Sequence, residues 1–528
     1  MNSAGYTPEE PIAAIATALA PAALGIVRCS GKGVIELLAP LFSRPKALLE
    51  AAGNTIVYGW LTEPVAGQGA VGRRIDQVLV SVFRSPRSFT GEDMVEISCH
   101  GGPGMVTGIL RLLTSHGFRA ALPGEFTFRS FINGKADLTR AEAVQEIIAA
   151  KTDTSRGRAA GRLAGGLFQE LDEIKSLLRE TLAALEAEIE YPEDEEAIAD
   201  AFDSSQLEEA RRRLESLCAS WSCERLYQDG VRVVLCGRTN AGKSSLFNTL
   251  LKEDRSIVSD IHGTTRDWIE GWVSFGGIPA RLFDTAGLRE SDDEVERHGI
   301  QRTQDLTAEA DLILYVVDST VGLTEEDREF LENRRRAENP SDCCGCDDNR
   351  PDDNRPDDNR PDDNRPDDNR PDDNRPDDNR RDDNRLGDKP TAGSPPLALV
   401  LNKWDKVALH SLSEPGMDGL PVDTVVRLSA RTGQGTAQLV EEICRLLFRN
   451  ISHAGARQVG LGSERQKDCA QAALEAVVHG LEVAEEGYTL DAVVQDVEEA
   501  LESLGEITGE VTTEDILDTV FSRFCLGK

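Results

Sequence analysis

Gly237-Arg238-Thr239-Asn240-Ala241-Gly242-Lys243-Ser244 reads G-x-x-x-x-G-K-S. It lies directly after the apolar run Val231 to Cys236 and before Ser245-Leu246-Phe247-Asn248-Thr249-Leu250-Leu251. This pattern dictates a buried strand, a tight loop and a helix, and so an α/β sheet, because only that context closes the loop around phosphate. Its glycines let backbone N–H groups surround phosphate oxygens. The Lys243 ammonium reaches the β/γ-phosphates, and the Ser244 hydroxyl can bind Mg²⁺.

Four further pieces follow in the order and spacing of a guanine-nucleotide domain. Gly263-Thr264-Thr265-Arg266-Asp267 is a polar loop able to close over Mg²⁺ and the γ-phosphate. A strand ending in Leu282-Phe283-Asp284 leads into Thr285-Ala286-Gly287, supplying a carboxylate toward Mg²⁺ and a glycine amide toward the γ-phosphate. Apolar runs Ala310 to Asp318 and Leu397 to Leu401 read as strands, the second delivering Asn402-Lys403-Trp404-Asp405. The Asp405 carboxylate can accept from the N1–H and N2–H₂ groups of guanine, which adenine lacks. Strand Val425 to Leu428 then presents Ser429-Ala430-Arg431 toward the guanine O6. Five elements in register make GTP the expected nucleotide, held by Asn240, Ala241, Gly242, Lys243, Ser244, Ser245 and the residues just named.

Leu288 follows Gly287 where Ras-like enzymes carry the Gln that orients water. Leucine cannot hydrogen-bond water, so either hydrolysis is slow or other groups supply the water contact and the positive charge. Glu296, in Asp293-Glu294-Val295-Glu296-Arg297, is the best nearby carboxylate, though these acids equally suit a solvated helix start. Asn240 offers an amide oxygen to a monovalent cation beside the phosphates.

Gly237 to Leu250, Gly263 to Asp267, Asp284 to Gly299 and Phe524-Cys525-Leu526-Gly527-Lys528 together resemble the bacterial tRNA-modification GTPase family called MnmE or TrmE. So do Ser88-Phe89-Thr90-Gly91-Glu92-Asp93 with Glu96, and Pro123-Gly124-Glu125-Phe126 through Phe131-Ile132-Asn133-Gly134-Lys135. The resemblance spans nearly the whole chain apart from one insertion. It implies that K⁺ takes the arginine-finger role, on Asn240, Ser259, Ile261 and Thr264, with Ser259 also beside the nucleotide. By the same resemblance Mg²⁺ sits on Ser244 and Thr265, Glu296 orients water and Lys243 serves catalysis. It further implies 5-formyltetrahydrofolate or a related one-carbon folate at Arg28, Glu96, Lys135 and Lys528. The implied partners are tRNA, modified at the wobble uridine U34, and a FAD-containing protein of the MnmG/GidA type. A homodimer would join that partner as a heterotetramer. Cys525, in the C-terminal signature, is open to a chemical role or a small buried apolar one.

Two departures from the family pattern stand out. Leu19-Ala20-Pro21-Ala22-Ala23-Leu24 replaces a Gly-rich turn before Arg28, and alanine adopts φ > 0 only at a cost. Thr239 stands where the family generally has Pro.

With 528 residues the chain accommodates about three domains. The expected class is multidomain α/β: an N-terminal α+β domain over 1–134, and a helical domain from 135–227 and 450–528. A Ras-like P-loop G domain over 228–449 separates the two helical parts. Leu171, Ile174, Leu178, Leu182, Leu185 and Ile189 recur at helical spacing until Tyr191-Pro192. Such an insertion would let helices on both sides feel switch movements. Residues 340–396 form an insertion with six copies of Pro-Asp-Asp-Asn-Arg at 351–380, which bury nothing apolar and should be disordered. A tolerated loop expansion explains them better than a binding tail.

Eleven cysteines without paired spacing fit a reduced cytoplasm, and Cys343-Cys344-Gly345-Cys346 lacks a second cluster for a metal. Ile12 to Val27 follows Glu9 and Glu10 with no preceding Lys or Arg, which argues against a signal peptide and for a buried strand and turn. No other run is long enough for a bilayer, so a soluble protein is expected. A net charge of −35 opposes polyanion binding, and Arg211-Arg212-Arg213 reads as a solvated helix face. The tRNA grip is therefore expected to come largely from the partner. A rival reading is a regulatory GTP switch in RNA or ribosome assembly without modification chemistry. A further one is a scaffold that binds GTP without turning it over.

Overall fold

The computed structural model describes residues 10–64, 73–190, 204–252, 269–284, 306–307, 309–338, 395–407, 420–449, 459–486, 490–524 and 527. The repeat insertion, Cys343 to Cys346, Ser259, Ile261, Thr264, Thr265, Thr285 to Leu288, Glu296, Cys525 and Lys528 lie outside the described residues.

The first sheet contains β1 (Ile12–Ile15), β2 (Leu24–Ser30), β3 (Thr55–Glu63), β4 (Arg73–Phe83), β5 (Met94–His100) and β6 (Arg119–Ala120), in the order β3-β4-β5-β2-β1-β6. Helices α1 (Val34–Leu38), α2 (Pro45–Leu49) and α3 (Pro103–Thr114) lie among these strands in the chain. Val78, Val80 and Val82 alternate inward along β4 and pack with Val106, Ile109 and Leu113 of α3. Along β4, Arg73 and Arg74 pair with Glu63 and Thr62 beyond a bulge between Leu61 and Thr62. The Ala-rich connection from β1 to β2 is exposed, and none of its alanines takes a positive φ. The backbone avoids the conformation that alanine resists.

Helices α4 (Glu125–Ile132), α5 (Leu138–Ala149) and α6 (Asp153–Leu163) lead to the long helices α7 (Gly166–Glu190) and α8 (Ser205–Gln228). A second sheet follows: β7 (Val231–Cys236), β8 (Ile269–Phe275), β9 (Ile278–Asp284), β10 (Leu312–Asp318), β11 (Leu397–Asn402) and β12 (Thr424–Arg427). Its order is β12-β11-β10-β7-β9-β8, with β8 antiparallel and the others parallel. Alternate β7 residues fill opposite sides: Val231, Val233 and Leu235 join one core, Val234 and Cys236 the other. Both faces are covered, which explains the apolar runs of β7, β10 and β11. Helices α9 (Lys243–Lys252), α10 (Glu325–Glu338) and α11 (Thr436–Leu447) belong to this region.

The chain then adds α12 (Glu464–Glu485), α13 (Leu490–Thr508) and α14 (Glu514–Ser522). Leu171, Ile174 and Leu178 of α7 and Leu214 of α8 share one core with Ala473 and Val477 of α12 and Val497 and Leu504 of α13. Helices from before and after the second sheet thus bury one common apolar surface. Among the described residues no helix is long and apolar enough to cross a membrane.

The two N-terminal signature loops are joined by buried charge. Glu125 accepts from Arg119 at 2.6 Å, from Arg129 at 2.9 Å and from the Leu122 amide at 2.8 Å. Arg129 also reaches Glu92 at 2.8 Å, and Glu92 accepts from Ser30 at 2.8 Å. Burial works against ionisation of Glu125, but the hydrogen bonds from Arg119, the Leu122 amide and Arg129 outweigh it and hold the carboxyl below its ordinary 4.5. A carboxyl lowered on folding contributes stability above its unfolded value and loses it as pH falls through the folded one. Glu125→Gln leaves Arg129 buried with one charged partner fewer, and should cost about 3–5 kcal/mol. Thermal unfolding followed at pH 7 and pH 4 should show a large loss for the variant at pH 7 and a smaller difference from wild type at pH 4.

Candidate nucleotide and folate sites

All parallel strands of the second sheet point their C-terminal ends at one edge, where open α/β sheets bind ligands. β7 delivers the phosphate loop there, β9 Asp284, β10 Asp318, β11 Asn402, and β12 Ser429. The Lys243 ammonium donates to the Gly237 and Arg238 carbonyls at 2.7 and 3.0 Å, which fixes it over the loop. Ser244 Oγ donates to Asp284 Oδ2 at 2.7 Å. A hydroxyl beside a carboxylate is the hard-oxygen donor set that Mg²⁺ takes, so these two residues fit that ion.

Asn402, 2% exposed, ties three loops together. Its Nδ2 donates to the Ala241 carbonyl at 2.9 Å and its Oδ1 accepts from the Ala430 amide at 2.9 Å. Thr249 of α9 donates to the Ala430 carbonyl at 2.6 Å. Ser429 Oγ donates to Asp405 Oδ1 at 2.7 Å, which orients the carboxylate that the sequence motif offers to guanine. Lys403 donates to the Asn240 carbonyl and to Asp318, each at 2.7 Å. Asn240 has φ 65° and Lys403 φ 61°, both left-handed. Ala241 is buried, Gly242 opens α9, and Ser245 and Arg431 are exposed beside the site. The nucleotide residues within the described part of the chain therefore gather at one edge. Asp318 belongs with them, although no motif marks it.

Two of the folate candidates, Arg28 and Glu96, meet on the first sheet. Val27 and Cys29 face the core, so the intervening Arg28 faces the other way, and strand register sets it directly opposite Glu96. Arg28 bonds Glu96 at 2.7 and 2.9 Å, lies 5.6 Å from the Phe89 ring and 5.7 Å from that of Phe126, and donates to the Gly527 carbonyl at 3.2 Å. Gly527 has φ 87°, and a side chain there would press on the Ile15 carbonyl, so only glycine brings the C-terminus this close. Lys135 donates to the Pro86 carbonyl at 3.1 Å, on the loop that also carries Phe89. Cation, carboxylate and ring faces suit a pterin with an anionic tail.

The family models for the MnmE helical domain and for the N-terminus of the GTP-binding protein TrmE match residues 138–525 and 11–135. The tRNA modification GTPase MnmE of Treponema denticola is 44% identical over the full length of both chains. That of Treponema pallidum is 40% identical, again over both full lengths. The protein of the same name from Symbiobacterium thermophilum is 37% identical over 98% of this chain and all of its own. With the guanine-type edge of the second sheet and both N-terminal signature loops in place, the chain belongs to the MnmE family of tRNA modification GTPases.

Proposed function

We propose that this chain is a K⁺-stimulated GTPase whose hydrolysis drives carboxymethylaminomethyl modification of the wobble uridine U34 of certain tRNAs, jointly with a FAD-containing MnmG/GidA-type partner. The observation that supports this most is the interlock of phosphate loop, base loop and Ala430 loop through Asn402, in a chain matched end to end by tRNA modification GTPases. Ser244, Thr265 and Asp284 would hold Mg²⁺, and Asn240, Ser259, Ile261 and Thr264 would hold K⁺. Bound there, the two cations supply positive charge to the transferring phosphoryl group. Lys243 adds its own charge at the phosphates, and Glu296 would position water where Leu288 cannot. The division into a 1–134 domain, a 228–449 G domain and a helical domain belongs to the same reading, as do pairing of two copies and a cytoplasmic setting.

Arg28, Glu96, Lys135 and Lys528 would hold the one-carbon folate, with Arg28 and Glu96 already paired across the strands. Much of the tRNA contact falls to the partner in this reading. Arg212 and Arg213 of the basic triplet are engaged by Glu209, and Arg213 by Glu173 as well, which leaves less free positive charge for phosphates.

GTP hydrolysis measured in K⁺ and in Na⁺ at equal ionic strength tests the cation. Wild type should be about ten-fold or more faster in K⁺, and Asn240→Ala should abolish the difference. Equal rates in the two salts would end the K⁺ reading and favour the regulatory switch. For the folate site, Glu96→Gln should weaken 5-formyltetrahydrofolate binding about ten-fold or more, through loss of a charge-assisted contact. Calorimetric titration giving unchanged affinity would remove Glu96 from that site.

A further inference from the structure

Asp318 ends β10 between the phosphate loop and the base-recognition loop, and no nucleotide motif includes it. Its Oδ1 accepts from the Thr320 amide at 3.0 Å and the Thr320 hydroxyl at 2.7 Å, while Oδ2 accepts from Lys403 Nζ at 2.7 Å. The same ammonium bonds the Asn240 carbonyl at 2.7 Å. The Asp318 and Lys403 side chains are 19% and 28% exposed, so water screens the pair only in part. Burial opposes ionisation, but the Lys403 and Thr320 contacts overcome it and keep the carboxyl below its ordinary range.

The geometry has a chemical consequence. A lysine ammonium is a rotatable point charge on a long stem and needs an anchor to stay in one place. Here one anchor is a carboxylate and the other is the carbonyl of a residue in a left-handed conformation. Asparagine tolerates that conformation at a modest cost, so its backbone benefits from an external hold. We propose that Asp318 is a positioning residue of the nucleotide site. It holds Lys403 against the Asn240 carbonyl, and so sets both guanine-nucleotide retention and the placement of the Asn240 amide. The second half rests on Asn240 being a K⁺ ligand, as argued above. Through it, occupancy of the base loop and the K⁺ response share one side chain.

The test uses the full-length protein, release of a fluorescent GDP analogue, and hydrolysis as a function of K⁺ concentration. Asp318→Asn keeps an acceptor for Thr320 while removing the charge that holds Lys403. It should speed GDP release about ten-fold and raise the half-saturating K⁺ concentration about five-fold. Lys403→Met should do the same, and the double variant should be no worse than the more affected single. Thr320→Val, which disturbs the turn but not the bridge, should stay within about two-fold of wild type.

Release within two-fold of wild type for Asp318→Asn overturns the proposal, and so do effects that multiply in the double variant. A Thr320→Val variant that matches Asp318→Asn reduces Asp318 to a turn residue and also overturns it. If wild type shows no K⁺ stimulation, the K⁺ reading and the second half of the proposal fall together. The release measurements then decide the first half alone.

Discussion

The nucleotide edge depends on one buried amide. Asn402 is the last residue of β11, and its side chain uses both ends: the nitrogen on the phosphate loop, the oxygen on the loop after β12. A carboxylate could make only the second bond and an apolar side chain neither, so any exchange strands a buried backbone group. Lys403, Trp404 and Asp405 inherit their places from it. The Trp404 amide bonds the Leu428 carbonyl at 3.1 Å, which closes the base loop against β12. The phosphate loop is therefore shaped from behind by the Asn402-Lys403-Trp404-Asp405 segment.

A second joint links this edge to the helices. β9 runs from Ile278, just after the hairpin turn at Gly277, to Asp284 beside Ser244. At the turn, the Gly277 carbonyl accepts from Thr152 Oγ1 at 2.7 Å, and a side chain on Gly277, which has φ 90°, would collide with Thr154. Thr152 caps α6 through the Ser155 amide, and Lys151 sits 3.3 Å over the Trp272 ring of β8. Ser155 in turn bonds the Tyr227 carbonyl at the end of α8, just before β7. At the other end of α6, buried Arg162 bonds Glu224 of α8 at 2.9 Å and the Gly460 carbonyl at 3.3 Å. Helix α6 thus grips the chain where it enters the second sheet and where it returns. A shift of Asp284 along β9 meets a stiff element at the far end of the strand.

Motif and periodicity made β7, β10 and β11 legible because strands buried on both faces leave apolar runs, whereas the antiparallel edge strand β8 carries no such run and was not legible. Val231 to Cys236 is bounded in the structure as the apolar run bounds it. Arg28 and Glu96 were legible as residues through the family signature, but their pairing appears only with the register of β2 on β5. Asp318 and Thr152 could not be read in advance. Each acts through a hydrogen bond across many residues of chain, and a lone Asp or Thr at the end of an element has many ordinary uses. The Ala-rich turn shows the opposite case. Loss of glycines signalled a conformational limit, and the chain meets it by keeping φ negative there.

Strain points to the same place as the hydrogen bonds. Among the described residues, Asn54, Asn240 and Lys403 are the non-glycine residues with positive φ. Two of those three face each other across a single hydrogen bond in the nucleotide site. Asparagine accepts this region readily, whereas lysine has no local side-chain bond to offset it. The cost at Lys403 must be met by its surroundings, and those are Asn402 before it, the Trp404 contact to Leu428 after it, and Asp318 at the tip of its side chain. Local preference is overruled where the base loop meets the phosphate loop, which is where a binding site needs its backbone held most firmly.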